Sequence, residues 1–319
     1  MLKLILPLVV AFAVCAAMGP QLIPFLHKLK FGQSIRECGP ASHQKKSGTP
    51  TMGGIMILVG LAVAVAAFCP MTPAVIIALV LTLGHALIGF LDDYIKVVMK
   101  RNLGLTTKQK FLCQFILAGA YVYYAETHMH DTTLWLPGIN VTADFGMAFY
   151  VLVFLLLVGT TNAVNLTDGL DGLASFVTLP VTLTFAAIAW SQGQLDMAYF
   201  AMALCGGCMG FLLFNHYPAK VFMGDTGSLA IGGGIAALAL LTKTELLLII
   251  LGGIYVMEAT SVIMQVSYFK YTHGKRIFRM TPIHHHFELG GWSETKIVTN
   301  FTVASTILCV AGYLLWSLK

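Results

Sequence analysis

Charge is what this sequence has least of: Asp, Glu, Lys and Arg make up 10% of its 319 residues, against about 25% in a typical soluble domain. That scarcity excludes the soluble globular, disordered and fibrous classes. The seven cysteines sit mostly inside apolar runs. Cys205 and Cys208 have the CxxC spacing of a redox or zinc pair, but no second pair lies near and the stretch is hydrophobic, so they read as small buried hydrophobes. A P-loop is missing, because no Gly-Lys-Ser/Thr order occurs, and no HExxH spacing marks a helical zinc site. Internal repeats and matched broken segments in two halves are missing too, unlike an inverted-repeat transporter. The net charge of +5 does not indicate a nucleic-acid partner, since its distribution follows a membrane topology instead.

What is present is apolar: 57% of the chain is hydrophobic. A membrane helix needs roughly 20 mostly apolar residues, and ten segments qualify, at about 3–26, 52–70, 74–96, 110–127, 145–163, 173–191, 197–215, 227–242, 245–267 and 297–317. The first does not read as a signal peptide, because its apolar run is long and further spans follow. Ten spans put both termini on one side. The loops 27–51, 92–110, 160–172, 215–226 and 267–296 then share the other side and carry 16 of the 19 basic residues, leaving Lys3, Lys243 and Lys319 opposite. The positive-inside rule makes the five basic loops cytoplasmic. The expectation is one integral membrane domain over residues 1–319, all-α and polytopic, with periplasmic or extracellular termini.

The unusual polar residues fall on that cytoplasmic side. Lys45, Lys46 and Thr49 precede Pro50-Thr51-Met52-Gly53-Gly54; ammonium groups, hydroxyls and open backbone N–H groups suit phosphate, although a basic membrane-flanking loop is the plainer reading. Asp92 and Asp93 end the third span. Adjacent carboxylates repel, and a divalent cation such as Mg2+ compensates them; the plainer alternative is a solvated helix end with Lys96 as an i,i+4 partner. Asn162, Asn165, Asp168 and Asp171 form an uncharged-to-acidic loop on an otherwise basic face, or simply Asp-Gly turns. Asp225 precedes the eighth span among glycines and hydroxyls, as a helix cap, a metal ligand or a nucleophile. Beside it, Asn215 is a further polar group and Phe222 offers a ring for stacking. His284, His285 and His286 can hydrogen-bond phosphate. Glu258 and Gln265, seven apart, share one face of the ninth span, where a carboxylate must face the interior and have a partner. Acids, cations and imidazoles on one membrane face suit a diphosphate bound through a metal and cations.

Five blocks carry a resemblance: Thr49-Pro50-Thr51-Met52-Gly53-Gly54, Leu91-Asp92-Asp93, Asn162 through Gly172, Phe222-Met223-Gly224-Asp225-Thr226-Gly227-Ser228 and Met280 through Glu288. Together, and in this order from about Lys45 to Lys296, they resemble the signature blocks of the phospho-N-acetylmuramoyl-pentapeptide transferase family. The resemblance implies transfer of a phospho-sugar peptide from UDP-N-acetylmuramoyl-pentapeptide to undecaprenyl phosphate, giving lipid I and UMP. The reaction would take place at the inner face of a bacterial plasma membrane, with Mg2+ and in a homodimer. By resemblance, Asp225 is the Mg2+ ligand, and Asp92 and Asp93 are the acidic pair that supplies a candidate base. Lys45 or Lys46, Asp168, Asp171, Asn215, Gln265 and Phe222 match the nucleoside and phosphate set, with Phe222 on uracil. Thr49 and Asn165 go with that set; His284, His285 and His286 belong on the diphosphate side, and Lys108 on a phosphate.

A phosphate monoester is largely a dianion near neutral pH, its second pKa being about 6, so the lipid phosphate needs positioning more than a strong base. Direct attack on the β-phosphorus is therefore expected over a covalent carboxyl-phosphate route. Two rival readings stand beside this one. A sibling enzyme passing GlcNAc-1-phosphate to the same lipid would share the acidic blocks, and a transporter would share the spans but not the crowding of polar residues into cytoplasmic loops.

Overall fold

The computed structural model describes residues 2–29, 46, 48–99 and 104–319. Among the described residues twelve α-helices and one β-hairpin follow one another. They are α1 (Leu2–Lys28), α2 (Gly54–Phe68), α3 (Pro73–Val97), α4 (Thr107–Tyr124), β1 (Thr133–Leu136), β2 (Val141–Asp144), α5 (Met147–Thr167), α6 (Leu173–Ser191), α7 (Leu195–Asn215), α8 (Gly224–Leu241), the single turn α9 (Leu248–Leu251), α10 (Gly253–Tyr271), the short α11 (Ile283–Glu288) and α12 (Glu294–Ser317). Local chemistry sets several starts. Thr72 accepts from Val75 N and Pro73 occupies the first turn of α3, where its missing N–H has no partner to lose. Thr106 and Gln109 close a capping box on α4. Ser293 caps α12 through Lys296 N.

Among the described residues seven helices are long and apolar enough to cross a membrane: α1, α3, α5, α6, α7, α8 and α12. The other three expected segments also fall on helices, at α2, α4 and α10, of which α2 has only 15 residues. The structure corrects the all-α expectation with the antiparallel pair β1–β2, Thr133 opposite Asp144. It also corrects several boundaries. The segment expected to start at 245 first forms a turn and α9, and its long helix begins at Gly253. Asp92 and Asp93 lie inside α3 rather than in the loop 92–110, and Asn162 and Asn165 lie in α5 rather than in the loop 160–172.

Helix α8 is the hub. Its residues from Thr226 to Leu240 are buried, as expected of a helix apolar all round, and α3, α5 and α2 pack on it. On the far side, α7 packs against α1, α2 and α6. The α3–α8 approach is close enough that a Cβ at Gly89 would overlap the Asp225 carbonyl. Glycine there lets the end of α3 and the start of α8 meet, and that meeting creates the site.

The opposite end of the bundle is built around the hairpin. Lys243 Nζ lies 3.0 Å from Asp131 Oδ2 and 5.0 Å from the Phe149 ring centre. Lys319 sits 5.3 Å above the Trp135 ring, and Asn140 Nδ2 donates to Leu318 O at 3.2 Å. Burial acts to raise Asp131, but the Thr133 hydroxyl and N–H and the Lys243 ammonium outweigh it and hold the carboxyl down at about 2. A carboxyl lowered on folding stabilises the fold above its unfolded pKa of about 4 and ceases to do so as pH falls through its folded value. Wild type should therefore melt slightly above Asp131→Asn near pH 6, by less than about 1 kcal/mol for so exposed a pair. The two melting curves, read by intrinsic fluorescence in detergent, should converge as pH falls from about 4 towards 2.

Candidate active site

The last turns of α3 carry Asp92 and Asp93, and the first turn of α8 carries Asp225. Oxygens of the three carboxylates lie within 4.8 Å of one another, with Asp92 and Asp93 buried and Asp225 half-buried. Such a group is unstable without compensation, because burial strengthens the repulsion and removes the water that would screen it. Two devices supply it. Asp93 accepts from Asp225 N at 3.1 Å, from Thr226 N at 2.9 Å and from Thr226 Oγ1 at 2.6 Å. It thus caps α8 from a neighbouring helix, at the positive end of that helix dipole. Gly224, at φ 74°, makes room: a Cβ there would press on Asp93 Oδ2 and Thr51 Oγ1.

The second device is a pair of ammonium groups. Lys96 ion-pairs with Asp92 and lies 3.2 Å from Asp225. Lys110 lies 2.7 Å from Asp225 and 3.3 Å from Asp92. Asn165 Nδ2 donates to Asp225 Oδ1 at 2.9 Å and to Ser228 Oγ at 2.8 Å, and Leu105 N donates to Asp92 Oδ1 at 2.9 Å. The three carboxylates are a hard, all-oxygen donor set, which suits a hard divalent cation rather than the sulfur- and imidazole-rich sites of zinc. Among the described residues these three carboxylates are the group whose ligand atoms lie close enough together to hold a metal ion.

The acidic turn after α5 lies beside this cluster. Burial pushes the Asp168 carboxyl well above its ordinary value, and Asp225, Asp93 and Asp171 push it further. Asp171 is committed to a clasp: Lys46 Nζ lies 2.7 Å from Asp171 Oδ1 and 2.6 Å from Glu294 Oε1. Glu294 Oε1 also accepts from Asp171 N at 2.6 Å, and Asp171 Oδ2 accepts from Ala219 N at 2.9 Å. Burial alone would lower Lys46, but its hydrogen bonds and charge attraction to Asp171 and Glu294 leave it raised. Asn215 is equally occupied, accepting from Gly172 N at 3.1 Å and donating to Val221 O at 2.9 Å.

On the other flank, Gln265 Oε1 accepts from Ile277 N at 3.1 Å and Phe278 N at 2.9 Å. His286 Nδ1 accepts from Arg279 N at 3.2 Å. His285 Nδ1 lies 3.2 Å from Glu288 Oε2. His284 is fully buried, 3.1 Å from Glu258 Oε1, so the intramembrane carboxylate has the partner its position demands. Phe222 and Thr49 are half-buried; Phe222 is fixed through its backbone to Pro50 O and Gly53 N.

The structure thus brings Asp92, Asp93, Asp225 and Asn165 into contact, with Asp168 beside them. Lys46, Asp171, Asn215, Gln265 and His286 hold loops together, and Lys45 lies outside the described residues. Lys108 is exposed; Lys110, two residues on, meets the carboxylates instead. Sequence reasoning missed Lys110 and Glu294 and placed Lys96 only as a partner of Asp92. The helical phase of α4 could have separated Lys110 from Lys108, whereas nothing local marks Glu294.

Residues 75–243 match the family model described as Glycosyl transferase family 4, and residues 46–58 match phospho-N-acetylmuramoyl-pentapeptide-transferase signature 1. The chain is 57% identical over 317 residues to the phospho-N-acetylmuramoyl-pentapeptide-transferase of Heliobacterium modesticaldum, covering 99% of this chain and 98% of the relative. It is 54% identical over 311 residues to that of Bacillus subtilis (strain 168), covering 96% and 95%. The corresponding protein of Bacillus pumilus is 53% identical over 311 residues, with the same coverage.

The geometry separates the two lysines of α4. Lys110→Met removes one of the two ammonium groups that offset the buried carboxylates, leaving Lys96 alone, and should lower turnover by on the order of 100-fold. Lys108→Met should stay within about twofold of wild type, as surface changes do. Steady-state rates of the two purified variants decide it.

Proposed function

The chain belongs to the phospho-N-acetylmuramoyl-pentapeptide-transferase family, and from that premise we propose that it is a transferase of peptidoglycan biosynthesis. It moves phospho-N-acetylmuramoyl-pentapeptide from UDP-N-acetylmuramoyl-pentapeptide to undecaprenyl phosphate and yields lipid I and UMP. The observation that carries the chemistry is the buried Asp92–Asp93–Asp225 cluster braced by Lys96 and Lys110. Carboxylate oxygen with adjacent ammonium groups suits a reaction whose substrates are both phosphates.

Asp225 is the proposed Mg2+ ligand, steadied by Asn165. Bound there, Mg2+ would neutralise charge on the nucleotide-sugar diphosphate. The protein's own groups do the rest. Lys96 and Lys110 offset negative charge as the lipid phosphate approaches the β-phosphorus. A lipid phosphate oxygen forms the new bond to that phosphorus as the bond to the UMP oxygen breaks. Asp93, with both oxygens committed to the start of α8, sets where Asp225 lies and is poorly placed to attack phosphorus itself, which favours direct displacement. Asp92, held by Lys96, Lys110 and Leu105 N, orients the lysines and is the remaining candidate base. Asp168, His284 and His285 face the nucleotide sugar, and Phe222 offers its ring to uracil.

The proposal extends to topology: ten helices cross the bacterial inner membrane, with both termini outside and the carboxylate cluster at the cytoplasmic end, as the basic residues around that end favour. A homodimer is the expected assembly. A membrane-impermeant maleimide applied to right-side-out vesicles should label Asn140→Cys in the hairpin and spare Lys275→Cys; the reverse pattern would invert the topology.

The direct test is UMP release by detergent-purified protein. UMP should form with UDP-N-acetylmuramoyl-pentapeptide, undecaprenyl phosphate and Mg2+, and be lost with EDTA, without lipid or in Asp225→Ala. Release with UDP-GlcNAc alone would assign the chain to the sibling reaction. A covalent phospho-sugar on the protein, trapped by rapid quench without lipid, would replace direct displacement with the two-step route.

A further inference from the structure

Helix α10 carries one carboxylate among apolar neighbours, Glu258, and none of it reaches solvent. A carboxylate so placed is retained only with a partner and a purpose. The partner is His284, whose Nδ1 lies 3.1 Å from Glu258 Oε1, with its backbone N 3.5 Å from Oε2. Seven residues further along the same face of α10, Gln265 holds Ile277 N and Phe278 N. The helix therefore grips the histidine-bearing segment at two points, one on its backbone and one on an imidazole.

The other edge of that imidazole is the informative one. Nε2 is buried and, among the described residues, has no hydrogen-bond partner. It abuts Gly169 in the acidic turn, where a Cβ would overlap it. A buried polar atom is normally satisfied, so an unsatisfied one against Gly169 of the acidic turn points to a group that arrives with the substrate. A carboxylate on one ring nitrogen holds a histidine in one tautomer and one orientation and presents the other nitrogen for chemistry.

We propose that Glu258 is a positioning residue of the transfer reaction: it accepts from His284 Nδ1–H and offsets the charge of the doubly protonated imidazolium, whose Nε2–H donates to a phosphate oxygen of the nucleotide-sugar diphosphate. This rests on the transferase reading above. Glu258 touches no substrate; it acts through His284. Gly169 belongs to the same device, because any side chain there would overlap Nε2.

The experiment has one arm that needs no substrate. Imidazole 15N spectra of the unliganded protein, with the His284 signals assigned by their loss in His284→Ala, should show Nδ1 protonated, and Glu258→Gln should move both ring shifts. In the kinetic arm, Glu258→Gln keeps an acceptor but removes the charge, and should lower kcat by on the order of 10–100-fold with KM within about threefold. In a His284→Ala background the same substitution should cost less than about twofold, because residues acting as a unit are not additive. Gly169→Ala, which leaves Glu258 untouched, should lower kcat in the same way. Additive losses, or His284 shifts that ignore Glu258→Gln, would overturn the proposal. If wild type releases no UMP with either sugar nucleotide, the transferase reading is what has failed, and the spectra still decide whether Glu258 fixes the imidazole.

Discussion

Three carboxylates in one buried place repel one another, and the arrangement of this end of the bundle follows from relieving that repulsion. The relief comes from the N–H groups at the start of α8, which Asp93 accepts, and from Lys96 and Lys110, which bridge Asp92 and Asp225. Neither works unless α3 and α8 come nearly into backbone contact, so the small residues Gly89 and Gly224 are as necessary to the chemistry as the acids. A helix terminus also places Asp225 more firmly than a loop would. Its backbone N–H is itself one of the groups that Asp93 holds.

The remaining polar residues are less a binding surface than a set of fasteners. Asn215, Gln265 and His286 bond to backbone groups of other segments, and Asp171 to Ala219 N and the Lys46 ammonium. Where the acidic turn meets the histidine segment, His284 Nε2 packs against Gly169 and, among the described residues, has no hydrogen-bond partner. A diphosphate site made this way owes its shape to residues that do not touch the ligand.

Much of this was legible in the amino-acid order. Apolar run length located every long helix among the described residues. The acidic blocks stood out because carboxylates are scarce in such a chain. Helix ends were not legible: α3 runs on through Asp92 and Asp93, and α5 through Asn165, because polar residues facing a neighbouring helix need not end one. The hairpin was invisible to a reading tuned to apolar runs. Lys110 was passed over for Lys108 since the choice depends on the phase of α4, and Glu294 since its importance comes only from contact with residues far off in the chain.

That last contact bears on how the protein comes into being. The clasp joins Lys46 to Glu294 across 248 positions of sequence and draws in Asp171 between them. During synthesis the acidic turn is therefore made and inserted long before one of its anchors exists. This end of the bundle takes its final form only when Glu294, at the start of α12, has left the ribosome. A chain broken off between Asp225 and Glu294 would hold all three clustered aspartates yet lack the acid that locks the turn beside them.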